Sequence, residues 1–521
     1  MLKILGGASV ADLVEESISR LPAGMTPLVR ISDQLEKVAG QETNGGSSDT
    51  GDSTKPTLDS ASSVSSDVLS TPFSITTPPS EGEDKEKKGV LSFQQEYSLK
   101  LQKQLPLDPR VFNSTIGMFM HGPINLDRLA QAFDAAVQRH DAFRVRFQST
   151  ADGKHLQIAA TRSRCRFEAT RVADKAAAEA AHQQLHEREY NPTEGEIIRA
   201  VIYSWSDVDH LLVWAYHQSV GDGWTTEQIF VEVGTLYEGK SLPPAPSYLE
   251  FASRQRRQFE AGEMAEGITY WTKLHKSNPP LAVLPIMALP GARVTSRTEL
   301  KPDWTQHEFS VRLSPMVAVR VRERSRKHKT TPMNFFLAAF HVLLARLTNQ
   351  SEMSIGIADS ARVTAEDRAT MGQFANMLPV RLNLSSTDTF GETLVATKEQ
   401  MRSAMLYSNI PYSAILEVLD VSPSLEAPLF QAAFDYKQGQ AESGSIGGAN
   451  LTDSFIKRAG SPYDVVLEMS DDPTRNPLVT VKLQAAMYGP EDAKTLAEGY
   501  LSILSIFSRN PALRINEGRL S

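Results

Sequence analysis

From residue 89 onward the sequence predicts strands and helices mixed throughout two lobes, an α/β or α+β class. Three observations carry that prediction. Strand-like and helix-like stretches alternate along the whole span. A group of chain breakers, Pro279, Pro280, Pro285, Pro290 and Gly291, interrupts it and places the boundary between two halves there. The 521 residues also exceed what one hydrophobic core accommodates, which calls for two or three compact units.

In the first half, Leu126, Leu129, Phe133, Ala136 and Val137 recur at helical spacing, and Phe143, Val145 and Phe147 alternate as in a strand. Val201–His217 supplies strands ending in a near-continuous apolar run, Leu211 to Tyr216, as a buried strand requires. Thr225 or Thr226 is then expected to cap a helix carrying Ile229, Phe230, Val233, Leu236 and Tyr237. Tyr248–Leu274 reads as charge-rich helix bearing Phe251, Phe259, Tyr270 and Trp271. In the second half, Phe335–Leu347 is apolar almost all round and predicts a buried helix. Strands are expected at Ser354–Ala358, Leu378–Leu384, Leu429–Tyr436, Val465–Met469 and Leu478–Met487. A last helix starts near Pro490, a residue suited to a first helical turn, and carries Leu496, Tyr500, Ile503, Leu504 and Phe507.

Composition excludes several function classes. A hydrophobic content of 41% with 22% charged residues is that of an ordinary globular protein. The net charge of -8, with no basic stripe interleaved with aromatics, argues against nucleic-acid binding. No apolar run reaches the length of a membrane span, and Met1–Leu5 is too short for a signal-peptide core. The expected setting is cytoplasmic. Cys165 is the single cysteine, so there is no disulfide framework and no cysteine metal site; Arg164 and Arg166 flank it, but no base accompanies it and it is read as inert.

The first 88 residues differ in kind. Within residues 1–22, Val10, Leu13, Val14 and Ile18 form a helical stripe. Residues 23–88 are read as a linker, and from about residue 38 to residue 88 Ser, Thr, Gly, Pro and acidic residues dominate without periodicity, too little apolar surface to offset ordering entropy. A random coil of roughly 50 residues spans on the order of 40 Å, enough to tether a mobile unit to a fixed one.

The chemistry concentrates at His217-Gln218-Ser219-Val220-Gly221-Asp222-Gly223-Trp224, a turn between a core strand and a helix. Scaffolded loops of this kind often hold reactive groups. A histidine near an aspartate is the minimal set for acid–base work, and the aspartate can fix the ring's tautomer or hold the loop through an arginine. The glycines permit positive backbone dihedrals and close approach of substrate. By itself the pattern is more often that of a satisfied core histidine.

Read with its surroundings, the stretch resembles the core motif of nonribosomal peptide synthetase condensation domains, His-His-x-x-x-Asp-Gly, in the variety found in fungal polyketide–peptide hybrid synthases. Further family motifs match in order. Ser92–Tyr97 resembles the first, Arg139–Phe147 the second and Tyr248–Ala252 the fourth; Gly372–Arg381 resembles the fifth and Ile410-Pro411-Tyr412 the sixth. The resemblance covers about residues 89 to 510 and implies an α/β, two-lobed chloramphenicol acetyltransferase-like pseudo-dimer with an active-site tunnel between the lobes. The expected lobes are residues 89–278 and 279–515. Residues 1–22 resemble the last helix of an acyl carrier domain without its phosphopantetheine attachment serine; without that resemblance they read as an amphipathic helix packed on the main body. The carrier-like tail points to a fragment of a larger synthase, and no adenylation domain follows before Ser521.

The resemblance implies two partners, an acyl carrier domain as donor and a peptidyl carrier domain as acceptor. Each presents its thioester, polyketide acyl or aminoacyl, on a 4'-phosphopantetheine arm, and the chain itself carries no cofactor and no metal. His217, Gln218, Asp222 and Gly223 are the expected catalytic positions. His217 is mainly structural in the family, and Asp222 is expected to bind an arginine, with Arg144 and Arg362 the two candidates. Trp224 is expected to pack beneath the loop. Ser360 and Asn376 are expected to line the tunnel.

One departure decides the functional question. The family credits the second histidine with positioning or deprotonating the attacking amine, and here that residue is Gln218. A carboxamide hydrogen-bonds but takes up no proton near neutral pH. Losing a general base costs about 10²–10⁴ in rate, or roughly 3–5 kcal/mol of barrier. Positioning of tethered substrates survives, because effective molarity needs geometry and not a base. Two functions follow: an amide-forming condensation domain slowed by Gln218, or a degenerate module that docks carriers and holds or gates an acyl chain.

Overall fold

A computed structural model describes residues 86–104, 109–150, 155–276, 284–294, 304–421, 428–439, 444–458, 460–472 and 475–517. The carrier-like tail and the linker, as far as residue 85, lie outside the described residues. The strand Lys87–Val90 already belongs to the folded body, where it pairs with His155–Ala159 in a small three-stranded sheet completed by Val145–Ser149.

Two six-stranded sheets organise the molecule. The first runs in the order Ser445–Ile446, Ala449–Arg458, Asn113–His121, Asp209–His217, Ile198–Ser204, Phe167–Arg171. At its centre Asp209–His217 is hydrogen-bonded on both edges and covered on both faces. Leu212, Trp214 and Tyr216 face the helices Leu126–Arg139 and Gly223–Tyr237, while Leu211, Val213 and Ala215 face the helix Lys175–His186. That double burial explains why the run is apolar at every position instead of alternating.

The second sheet runs Asn376–Asn383, Glu352–Asp359, Ala432–Gln438, Val465–Asp471, Leu478–Gln484, Gln306–Arg312. Against it lies the helix Pro332–Thr348, in which every residue from Phe335 to Leu344 is buried among the helices Pro315–Lys327, Phe390–Leu406 and Pro490–Arg509. An all-round apolar helix is stable only when enclosed, and the surrounding helices enclose it.

Two expectations are corrected by local geometry. The stretch Tyr248–Leu274 is not one helix but two, Tyr248–Glu260 and Ala265–Lys276. Gly262 breaks it at φ +76°, with its N–H donating to the Phe259 carbonyl as a left-handed helix stop. The strands Ser445–Ile446 and Ala449–Arg458 come from the second half of the sequence yet pair onto Asn113–His121 of the first sheet. The two halves thus share a sheet, a long-range pairing that no local pattern announces.

Buried histidines give the fold a pH dependence. Burial pushes His217 and His341 down to about 3 and His275 to about 4, from an ordinary value of 6.5. Below pH 6.5 the unfolded chain takes up protons that the folded chain refuses, so stability falls as pH falls. Each such histidine contributes about 1.4 kcal/mol per pH unit until its folded value is reached. Chemical denaturation at pH 7 and pH 5 is expected to show this loss. The variant His341→Leu, which removes a ring whose Nε2 meets no partner among the described residues, is expected to flatten it.

Candidate active site

The site forms where the first sheet's turn at residues 217–223 meets the loop at residues 360–375. His217 ends its strand, and its N–H donates to the Ile197 carbonyl at 2.8 Å. Its Nδ1 accepts from Ser219, 2.8 Å from the hydroxyl and 3.3 Å from the N–H. The ring is fully buried beside Phe112 and neutral at any physiological pH. Nε2 has no partner among the described residues. This is a packed structural histidine.

Asp222 caps the helix Gly223–Tyr237 by accepting from the Thr225 N–H at 2.9 Å. The cap is therefore Asp222 and neither threonine. The carboxylate also accepts from the Phe374 and Ala375 N–H groups, at 2.9 and 3.0 Å, and from Arg362 through both terminal nitrogens, at 2.7 and 3.1 Å. Arg362 donates further to the Thr225 hydroxyl and the Gly372 carbonyl and lies over the Phe374 ring at 4.2 Å. Both charges are buried, with side-chain exposures of 1% and 5% for Arg362 and Asp222, so the bidentate geometry and the extra donors are what offset their desolvation. Of the two arginines considered, Arg362 takes Asp222. Arg144 is held elsewhere, donating to the Ala160 and Thr161 carbonyls.

Neither glycine of the turn takes a positive dihedral, and only Gly221 is required by packing. Gly221 is extended at φ -166°, and an added Cβ would press on the Tyr216 ring at 3.0 Å; Gly223 opens the helix with free space around it. The strained glycine sits across the interface. Gly372 has φ +150°, and a Cβ there would lie 2.1 Å from the Tyr248 ring. The Tyr248 hydroxyl donates to the Gln373 carbonyl at 2.6 Å, so the fourth and fifth motifs hold each other. Trp224 is half-buried, not core: its indole N–H donates to the Arg368 carbonyl at 3.0 Å and its ring flanks Arg362.

The remaining motifs are scaffold. Arg139 and His140 both bind Glu232 at 3.0 Å, clamping the second motif to the helix behind the turn. Asp141 accepts from the Tyr248 N–H at 2.9 Å and from the Ser247 hydroxyl. Asn376 ties the fifth motif to the sixth, donating to the Ser408 and Ile410 carbonyls and accepting from the Tyr412 N–H.

Between these elements lies a chamber of about 240 Å³ whose walls include Tyr97, Ser98, Gln218, Gln373, Asn376 and Tyr412. Of the expected site residues, Gln218 and Asn376 reach it. His217, Asp222 and Gly223 do not line it, and neither does Ser360, whose carbonyl instead accepts from Arg362. Sequence reasoning missed Ser98, one position past the first motif, and passed over Gln373 inside the fifth. Neither carries a signal before the tertiary fold sets them together. None of the lining side chains is an acid, a histidine, a lysine or an arginine, and burial pushes the Tyr97 and Tyr412 phenols up. A second cavity of about 370 Å³ shares Met377, Gly460 and Tyr463 with the first and reaches Glu308, Asp435, Glu468 and Lys482. Among the described residues no cluster fits a metal ion, and no helix is long and apolar enough to cross a membrane. Burial pushes the Cys165 thiol up to about 12, against the lowering pull of Arg199.

Two sheets that meet at a histidine–aspartate turn beside an internal chamber define a two-lobed, acyltransferase-like protein. The chain belongs to the condensation domain family, whose model matches residues 85–520. It is similar to the lovastatin nonaketide synthase polyketide synthase component of Aspergillus terreus, 44% identical over 99% of this chain and 17% of the relative. The compactin nonaketide synthase component of Penicillium citrinum is 43% identical over 99% and 18%. Equisetin synthetase of Fusarium heterosporum is 28% identical over 98% and 14%. The chain thus spans less than a fifth of the length of these relatives. Among solved structures, the condensation domain of the monacolin K polyketide synthase MokA superposes with a TM-score of 0.78 at 47% identity, covering 82% of this chain and 99% of that one. The starter condensation domain of rhizomide synthetase RzmA gives 0.70 at 18% identity, covering 83% and 97%, a likeness of fold.

Proposed function

We propose that this domain joins a polyketide acyl thioester to an amino acid amine, forming an amide by positioning the two partners and not by removing a proton. The donor arrives on the 4'-phosphopantetheine arm of an acyl carrier domain and the acceptor on that of a peptidyl carrier domain. The nitrogen–carbon bond forms as the carbon–sulfur bond breaks, and the proton lost by the amine goes to the departing thiolate. The observation that carries this reading is the chamber at Gln218, whose described lining is uncharged and which shares Met377, Gly460 and Tyr463 with the second cavity. An aromatic, neutral wall suits an acyl chain and a neutral, nucleophilic amine. Holding two tethered reactants in contact supplies effective molarity without a base.

A second reading, a module that holds or gates the acyl chain without forming an amide, is favoured by Gln218 itself and by the resemblance to proteins named as polyketide synthase components. One assay separates the two. Supplied with an acyl-carrier and an aminoacyl-carrier, the domain is expected to build the acyl amide on the acceptor carrier and leave the donor carrier as free thiol. Acyl binding with no amide, across parent and Gln218→His alike, would reverse the assignment in favour of holding.

A further inference from the structure

We propose that Ser98 is the hydrogen-bond donor that grips the acyl thioester carbonyl in the chamber, with Gln373 as the residue that aims it; this rests on the acyl-binding reading above. Ser98 lies on the helix Phe93–Gln104, is 3% exposed and lines the chamber beside Gln218. Two carboxamides converge on its oxygen. Gln373 Nε2 donates at 2.9 Å and Gln218 Nε2 stands at 3.5 Å. A serine hydroxyl has two lone pairs and one proton. With one lone pair taken by Gln373 and Gln218 standing at the edge of hydrogen-bond range, the proton is what the group has left to give. Among the described residues no acceptor takes it.

A buried hydroxyl with its donor unmatched is costly in an empty protein and useful in a loaded one. The ligand that completes it is an acceptor without charge, because among the described residues no cation lines the chamber to neutralise an anion. A thioester carbonyl is such an acceptor. Donation from Gln373 polarises the Ser98 O–H and strengthens the bond that it gives. Aim comes from across the interface. The Phe374 and Ala375 N–H groups sit on Asp222 and the Gln373 carbonyl on Tyr248, so the backbone of Gln373 is fixed on both sides. The buried Asp222–Arg362 pair therefore reaches the chamber through Gln373 and Ser98.

The test uses octanoyl-pantetheine thioester and the matching thioether, which lacks only the carbonyl. The full chain is expected to bind the thioester about tenfold more tightly, the worth of one good hydrogen bond. A ¹³C-labelled carbonyl is expected to show an infrared stretch lowered on binding. Ser98→Ala should erase the preference and return the stretch to its free value while thioether affinity stays put; Ser98→Thr should restore both. Gln373→Leu should move the stretch part of the way. Equal binding of the two ligands by the parent overturns the role of Ser98 and leaves acyl binding standing. Binding of neither ligand overturns both. A preference that survives Ser98→Ala in a protein with unchanged melting temperature assigns the carbonyl to another donor and overturns the proposal.

Discussion

Asp222→Ala is expected to lower the unfolding free energy by about 3–5 kcal/mol, the largest effect of any single change at this site. Its carboxylate accepts from three backbone N–H groups and from both terminal nitrogens of Arg362. Removing it leaves a guanidinium buried at 1% exposure with no counter-charge, and leaves the Phe374 and Ala375 N–H groups without their acceptor. An uncompensated buried charge is costlier than the pair itself is favourable. Asp222→Ala and Arg362→Ala combined should therefore cost clearly less than the sum of the two, a coupling visible in a double-mutant cycle. Urea denaturation measures all three. A loss under about 1 kcal/mol for Asp222→Ala would show that the pair is replaceable by water. The functional consequence follows from the same bonds: without Asp222 the loop that carries Gln373 is released, and acyl binding should weaken with stability.

Gln218→His is expected to accelerate amide formation by about 10²-fold or more, the usual return on a general base placed where an amine must lose its proton. Among the described residues the chamber lining holds no acid, histidine, lysine or arginine, so the pH profile of the parent should trace the acceptor amine alone. The variant should add a limb, rising as the introduced imidazole loses its proton and becomes a base. Rates at saturating acyl-carrier between pH 5.5 and 8.5 distinguish the two profiles. Equal rates and equal profiles would show that Gln218 does not limit the reaction. His217 offers no shortcut, because its ring is buried away from the chamber and occupied by Ser219.

The elements were largely legible in the sequence because burial leaves a pattern. The run Leu211–Tyr216 had to be enclosed on both faces, and Phe335–Leu347 on all sides. Local geometry was less so. Gly262 splits a helix that its charge pattern left unbroken, and the Asp222 cap was obscured by the threonines that follow it. The tunnel residues divided. Asn376 lines the chamber while Ser360 does not, since Ala361 at φ +52° turns the chain back and Arg362 claims the Ser360 carbonyl.

The sequence by itself determined the family, through motifs that recur in order, and the absence of a base at position 218, since a carboxamide has no proton affinity in any fold. Tertiary structure alone decided which arginine meets Asp222, because Arg144 and Arg362 differ in neither charge nor reach but only in what surrounds them. It also decided that His217 is a packed, neutral ring, since burial is a property of neighbours and not of the residue. The grouping of Ser98, Gln218 and Gln373 arose the same way: two carboxamides 120 and 275 positions beyond Ser98 acquire a joint role with it only when two lobes close around one chamber.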